Sequence, residues 1–173
     1  MSLFRRGERP PIRVERGERL LADARADEGH LGGTRDALYV ARSQGGTFRL
    51  EETLRIPWED VQAADWDRDT GVLRVSEVGT WGEPRPEHTF TIEEPGRLLE
   101  LLRERVTASV VFQRSVPVDG RRALRVIARR APAGDRPISW IYEFDEGVDP
   151  ADPAVRRAAE EALAAARAEV GVD

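Results

Sequence analysis

The sequence predicts a mainly β, α+β chain, in which antiparallel strands closed by a helix are followed by a β-hairpin and a C-terminal helix. Short β-prone runs are separated by turns rich in Gly, Pro and Asp, a pattern typical of antiparallel sheets. One leucine-rich amphipathic stretch and one alanine-rich stretch predict the two helices. The predicted organisation is an N-terminal arm over residues 1–16, a domain over 17–112, and the hairpin with its helix over 113–173.

The strands of the first domain are delimited by turn residues. Gly29, Gly32 and Gly33 are expected to separate the first two strands, and Asp67 to Gly71 carries the residues that a tight turn needs. The predicted extended segments are residues 19–26, 37–42, 47–58, 61–66, 72–78 and 88–92.

The leucine-rich stretch predicts a helix that lies on a sheet. Pro95 is expected at its first turn, where proline costs no hydrogen bond. The expected buried face consists of Leu98, Leu99, Leu102, Val106 and Val110.

The last third of the chain predicts a hairpin and a capped helix. Strands are expected over 124–129 and 138–145, and symmetric pairing about Gly134 places Arg125 opposite Glu143. Asp152 and Pro153 are expected to begin the helix and Gly171 to end it. Either the sheet carrying Trp140, itself expected to be buried, or a second copy of the chain covers this helix, and we favour the sheet. The predicted buried stripe is Val155, Ala159, Ala162, Leu163, Ala166 and Val170.

Composition excludes several classes of protein. The net charge of −5 opposes a general affinity for nucleic acid or anionic membranes. The chain has no cysteine, which excludes disulfides and Cys-containing zinc sites and fits a cytoplasmic location. The N-terminal residues lack the apolar core of a signal peptide, and no apolar run is long enough to cross a bilayer. We therefore expect a cytoplasmic protein that uses no cofactor or metal and does not bind membranes.

Four segments and the helix after them resemble the bacterial PH-like (GRAM-like) domains, in particular those of actinobacterial proteins. The resemblance implies a small β-barrel of two packed antiparallel sheets closed by a helix, a fold that serves lipid, peptide and protein binding alike. Phosphoinositide binders of this family use a basic loop between the first two strands. The matching loop here, from Asp23 to His30, is net acidic, so lipid binding is not expected. The segments are residues 37–40 (ALYV), 56–61 (IPWEDV), 71–75 (GVLRV) and 89–92 (TFTI).

An arginine cluster and one tryptophan are the predicted ligand-binding residues. The cluster is either an anion-binding or nucleic-acid face, or a solvated sheet face paired with acids of the neighbouring strand. The second interpretation is favoured, because no aromatic residues alternate with the arginines to stack bases. Trp81 lies in a Gly/Pro-rich loop and is the tryptophan expected to be exposed. The ligand-binding set is Arg121, Arg122, Arg125, Arg129 and Trp81.

No catalytic or metal-binding residues are predicted. His30 and His88 are the only histidines and lack a nucleophile beside them in the sequence. Asp65, Asp67 and Asp69 alternate as calcium ligands do, but Gly71 comes one residue too late for an EF-hand loop. The leading hypothesis is a non-enzymatic module that binds a protein or peptide and that could form a homodimer. The alternative is a small-molecule or anion-binding protein that uses the barrel mouth or the Arg-rich hairpin.

Overall fold

The structure is a computed structural model that describes residues 9–44, 47–49, 52–134 and 136–171. The first sheet is antiparallel, with β1, β2 and β3 as neighbours, and both of the shorter strands β4 and β5 pair with β3. Its strands are β1 (Ala22–Ala26), β2 (Gly29–Gly33), β3 (Ala37–Gln44), β4 (Thr47–Phe48) and β5 (Leu54–Pro57).

A 3-10 turn at Trp58–Asp60 leads into the second sheet, whose strands follow one another as an antiparallel meander. Helix α1 (Leu98–Ser109) comes next and continues directly into the third sheet, in which β10 is central. Helix α2 (Pro153–Val170) ends the described chain. The remaining strands are β6 (Val61–Asp67), β7 (Val72–Glu77), β8 (Glu87–Thr91), β9 (Val110–Asp119), β10 (Arg122–Arg129) and β11 (Ser139–Phe144).

The predicted α+β, mainly β class is confirmed, with three antiparallel sheets and two helices. The strands that the structure describes do not form a closed barrel. The first and second sheets meet at one corner, where the Asp27 N–H donates to the Thr91 carbonyl at 3.1 Å. The predicted boundary between residues 112 and 113 lies inside β9.

The first hydrophobic core lies between the first two sheets and α1. The helix contributes leucines, and the sheets contribute Trp58 and aliphatic side chains. Gly33 lets α1 approach the first sheet closely, because a Cβ there would lie 2.5 Å from Cδ2 of Leu101. The largest fully buried members of this core are Trp58, Leu31, Leu38, Ile56, Leu73, Ile92, Leu98 and Leu102.

The second core lies between the third sheet and α2. Here the helix contributes Val155 and three alanines, and the sheet contributes larger residues. The helix therefore covers its own sheet, as we favoured from the sequence. Asp152 caps it by accepting a hydrogen bond from the Ala154 N–H at 2.7 Å, and Gly171 ends it in the left-handed conformation. Four residues of the predicted stripe are fully buried, namely Val155, Ala159, Ala162 and Ala166.

The two cores are joined by one buried cation and one aromatic side chain. Arg129 is 3% exposed and donates to the carbonyls of Val61 and Gln62, each at 2.8 Å. It also donates to Oγ of Ser109, the last residue of α1, at 2.8 Å. Trp81 extends from the loop after β7 to the second core.

Several predicted boundaries are wrong. Residues 29–33, expected as a break, form strand β2, and residues 110–119, with no predicted strand, form β9. Helix α1 begins at Leu98 rather than Pro95, because Gly96 adopts a positive φ of 53° that a helix does not accept. Its buried face uses Leu101, which was not predicted.

The predicted extended segment 47–58 is also wrong, since it divides into β4, β5 and the start of the 3-10 turn. Trp140 is half-buried rather than buried. The hairpin register is confirmed, with Arg125 opposite Glu143 and Ile127 opposite Ile141.

Candidate peptide-binding groove

A groove lies between α1 and the start of β1, with a volume of about 270 Å³. We call it the α1 groove. Leu21 is 39% exposed there and Leu101 is nearly buried, so the two leucines form an apolar strip. The groove is lined by Leu21, Ala22, Arg97, Glu100, Leu101, Glu104 and Arg105.

The helical repeat explains why these residues share one wall. The α1 residues follow one another at spacings of three, one, three and one, which places them on a single face over two turns. Leu101 points from this face toward Gly33, and the charged residues on either side of it reach solvent. The result is an apolar floor with a charged rim. The rim consists of Arg97, Glu100, Glu104 and Arg105.

Arg105 gives the α1 groove an unused hydrogen-bond donor. Its Nε is buried and has no hydrogen-bond partner among the residues that the structure describes. Its Nη2 lies 3.7 Å from Oε1 of the neighbouring Glu104. A buried donor without a partner costs free energy, and a ligand that supplies an oxygen acceptor relieves that cost.

A second, smaller groove of about 210 Å³ lies between the β1–β2 turn, the end of β3 and β8. Arg42 stacks over the ring of Phe90 at 5.3 Å, and Asp27 and Glu28 form the opposite wall. Phe90 is only 6% exposed. This groove therefore presents mainly polar atoms and no exposed apolar side chain.

The predicted arginine set does not form one continuous face. Arg121 is exposed beside the β9–β10 turn, whereas Arg129 is the buried link between the two cores. Arg122 lies 3.5 Å from a carboxylate oxygen of Asp119 and also donates to the Gly147 carbonyl at 3.2 Å.

Arg125 is paired with acids of the neighbouring strand, as the second interpretation of the cluster predicts. It contacts Glu143 at 3.1 Å and Asp145 at 3.9 Å. The expectation that Arg129 belongs to a ligand-binding face with these residues is wrong, because its guanidinium is turned toward main-chain carbonyls of β6.

Trp81 is half-buried rather than exposed, so this prediction is wrong. Its ring packs edge-on against Tyr142 and Phe144, at centroid distances of 4.9 and 4.8 Å. Its Nε1 donates to the Pro150 carbonyl at 3.2 Å. These contacts place Trp81 in the second core, away from the α1 groove.

Both histidines contact a carboxylate. His30 Nε2 lies 2.7 Å from Asp23 Oδ2, and His88 Nε2 lies 2.5 Å from Glu77 Oε1. Neither of the two grooves described above is lined by a histidine. Burial and the neighbouring Glu77 raise the pKa of the Asp60 carboxyl, and Arg129 partly offsets that increase.

A polar network ties Glu18, which precedes β1, to the first sheet. Arg55 donates to Glu18 at 2.6 and 3.0 Å and to the Tyr39 hydroxyl at 3.1 Å. Thr34 donates to the other oxygen of Glu18 at 2.5 Å. Burial raises the pKa of Glu18, but the contacts with Thr34 and Arg55 lower it by more, so it lies below its ordinary value.

Asp67, the last residue of β6, forms a turn with the residues that follow it. Oδ1 of Asp67 accepts hydrogen bonds from the N–H groups of Asp69 and Thr70, at 2.9 and 3.2 Å. These bonds hold the pKa of the Asp67 carboxyl below its usual range. Among the described residues, no three His, Asp or Glu side chains are grouped so that they could bind a metal ion.

Within the described ranges, neither helix is long and apolar enough to span a membrane. No protein-family model matches the chain, and no curated protein matches it.

Proposed function

We propose that this chain is a non-enzymatic interaction module that binds an extended peptide segment of a partner protein in the α1 groove. The observation that carries the proposal is the exposure of Leu21 beside Leu101, inside a concave surface with a charged rim. A single exposed leucine on a flat surface has no functional meaning. Leu54 is 40% exposed without lining either groove, so it provides the comparison for Leu21.

The dimensions of the α1 groove fit a short extended segment. Its α1 wall runs from Arg97 to Arg105, about 12 Å at 1.5 Å per residue. An extended peptide advances about 3.3 Å per residue, so about four residues span the wall. A partner side chain over Leu101 removes apolar area from water on both molecules.

The charges favour a particular kind of segment. The unused Nε–H of Arg105 can donate to a peptide carbonyl or, more strongly, to a carboxylate. The two glutamates of the rim repel an acidic side chain at the centre of the wall. The ligand class is therefore a peptide with one apolar side chain near its centre and an acidic side chain at the Arg105 end.

The same proposal includes a PH-like relationship for residues 17–112 and a cytoplasmic location. The element order supports the PH-like relationship: a first sheet and a three-stranded second sheet are followed by a helix that packs on the same core. The absence of cysteine supports the location. Binding of an anion at the Arg-rich hairpin ranks lower, because Arg122 and Arg125 already contact acids.

A displayed library of short random peptides tests the proposal. We expect the wild-type protein to enrich peptides with one apolar and one acidic side chain. Leu21→Glu is expected to weaken their binding at least about tenfold, because it places a charge on the apolar strip. Leu54→Glu, the matched control, keeps the wild-type affinity. Arg105→Gln is expected to weaken the binding of acidic peptides more than the binding of the same peptides with the acid replaced by its amide.

Two results contradict the proposal. One is that no peptide is enriched by a folded wild-type protein. The other is that enriched peptides bind Leu21→Glu and Leu54→Glu equally well, which would place their site elsewhere. Thermal melting of each variant verifies that it is folded before binding is compared.

A further inference from the structure

Strand β9 is a long edge strand with an uncharged exposed side. It spans Val110–Asp119, and its residues alternate between partly buried and exposed along the whole length. In the part of the chain that the structure describes, only β10 pairs with it. Val111 is 40% exposed, which is unusual for a large apolar residue on a sheet edge. Its exposed side carries Val111, Gln113, Ser115 and Pro117 before the first charge at Asp119.

The hydrogen-bond pattern shows which peptide groups of β9 point outward. Asp145 donates its N–H to the Ala123 carbonyl, so the odd-numbered residues of β10 bond to β11. Bonding alternates along an antiparallel strand, so the even-numbered residues of β10 bond to β9. Val126 lies opposite Arg114, which makes the even-numbered residues of β9 the inward ones. Between Phe112 and Pro117, where the register is regular, the outward N–H and C=O groups are those of Gln113 and Ser115; the register with β10 shifts by one residue at Val111.

The opposite edge of the same sheet is protected. The loop before β8 places Trp81 on one face of β11, against Tyr142 and Phe144. It places Arg85 near Glu143 of the same strand, with 3.5 Å between the side chains. Natural proteins protect edge strands in this way against pairing with other chains. Strand β9 has no comparable cover among the described residues.

We propose that β9 pairs antiparallel with β9 of a second copy of this chain, about a two-fold axis at Gln113. This register pairs the outward N–H and C=O groups of Gln113 in the two copies through about two hydrogen bonds, and the outward groups of Ser115 extend the pairing on either side. It places Val111 opposite Ser115 and leaves Pro117, which lacks an N–H, outside the pairing.

Charge selects this register over its neighbour. Centring the axis on Arg114 would place two arginines directly opposite each other, which destabilises a strand pair. With the axis at Gln113, Arg114 lies opposite Phe112 of the second copy. Within one chain Arg114 already stacks on the Phe112 ring at 5.7 Å. The Gln113 amides meet at the axis, where each can donate to the other.

The position of α2 fits the same dimer. The helix packs over β9 and β10, so its axis lies about half a strand spacing inside β9. The two-fold axis lies half a spacing outside β9, which separates the two α2 helices by about 10 Å, the distance of packed helices. Glu169 contacts Arg114, which shows the side of α2 that faces this edge. Ala158 and Ala165 share that side and allow close approach.

Sedimentation equilibrium of the full chain tests the dimer. The wild-type protein is expected to sediment as a dimer, and Gln113→Lys as a folded monomer, because the introduced lysines face each other at the axis. A pair of double variants tests the register. Val111→Glu with Ser115→Glu opposes like charges twice and gives a monomer, whereas Val111→Glu with Ser115→Lys opposes unlike charges and restores the dimer.

Leu54→Lys is the matched control, since it adds the same charge at an equally exposed apolar residue of another sheet, and it is expected to remain dimeric. A monomeric wild type at high protein concentration overturns the proposal. So does a dimer that persists in Gln113→Lys, or an equal mass for the two double variants. Far-UV circular dichroism of each variant shows that the change in mass is not a loss of folding.

Discussion

The two hydrophobic cores distribute large and small residues in opposite ways. In the first core, α1 contributes leucines, and small residues of the first sheet such as Gly33 and Ala24 receive the helix. In the second core, α2 contributes alanines, and the third sheet contributes aromatic rings such as Tyr142 and Phe144. In both cores, small residues on one side lie against large residues on the other. They differ in which kind of substitution they tolerate.

Because of this difference, each core is sensitive to a different kind of substitution. The first core depends on side-chain volume that can be deleted, because Trp58 and the leucines Leu98 and Leu102 of its helix are buried. The second depends on a short distance between α2 and the sheet, which an added side chain disturbs. Its aromatic residues are only half-buried, so deleting one of them exposes less area than in the first core.

The largest expected effect is therefore a deletion in the first core. Trp58 is 0% exposed, and its Nε1 donates to the Thr34 carbonyl at 3.1 Å. Trp58→Ala is expected to lower the free energy of unfolding by about 3–5 kcal/mol. Trp140→Ala, the matched change in the second core, is expected to cost about 1–2 kcal/mol, since Trp140 is only partly buried. Urea titrations measure both, and equal losses would contradict the comparison.

A larger side chain should lower stability more on the buried face of α2 than on its exposed face. Ala162 is 6% exposed and faces the sheet, whereas Ala164 lies on the exposed side of α2. Ala162→Leu is expected to cost about 1–3 kcal/mol through overpacking. Ala164→Leu is the control and is expected to stay within about 0.5 kcal/mol of wild type. If thermal melting ranks the two variants in the reverse order, α2 does not approach the sheet through its alanines.

The Asp152 cap at the start of α2 should contribute less to stability than either core. The Asp152 carboxylate accepts a hydrogen bond from the Ala154 N–H. Asp152→Ala is expected to lower stability by about 1 kcal/mol, and Asp152→Asn by less, because asparagine also caps helices. Chemical denaturation provides the measurement, with Glu161→Ala on the exposed side of α2 as the control. An unchanged Asp152→Ala variant would mean that the helix begins elsewhere.

The smallest expected effect depends on pH and belongs to the first sheet. The folded-state pKa of Glu18 lies below its ordinary value of 4.5. Its contribution is therefore complete above that ordinary value and is lost as the pH falls through the folded-state pKa. Wild type should lose stability more steeply than Glu18→Gln between about pH 5 and about pH 3. Parallel curves for the two proteins would remove Glu18 from the acid response.

Structural features that follow from a local sequence pattern could be predicted. The alternation on both sides of Gly134 correctly gives the register of Arg125 with Glu143. The α2 boundaries follow from Asp152, Pro153 and Gly171, whose preferences act within one turn.

Strand β2 could not be predicted because three of its five residues are glycine. Tertiary contacts fill the Cβ position of all three: a Cβ at Gly33 would meet Leu101, one at Gly32 would lie 2.6 Å from Cδ2 of Leu20, and one at Gly29 would lie 2.6 Å from the Ala41 carbonyl oxygen. Strand β9 was missed because Val106 and Val110 also fit a helical spacing of four, so the helix was extended over the start of the strand.

The α1 groove could not be predicted from the sequence, because no local pattern shows which distant residues line it. Leu21 precedes a strand by one residue, and nothing in its neighbours indicates that it lies beside Leu101, eighty residues later in the chain. Arg129 was grouped with the other arginines because its neighbours are basic. Only the contacts with Val61 and Gln62 show that it is buried.

The contacts of Trp81 cannot form until residues much later in the chain have been synthesised. The ribosome releases this residue about sixty residues before Tyr142 and Phe144, the rings that will enclose it, and before Pro150, its hydrogen-bond acceptor. During that interval the first core can form, but the indole stays exposed on its loop. An exposed aromatic side chain on a growing chain is a binding site for chaperones and a starting point for aggregation. Synthesis of β11 and of the segment up to Pro150 therefore ends the period in which this indole has no partners.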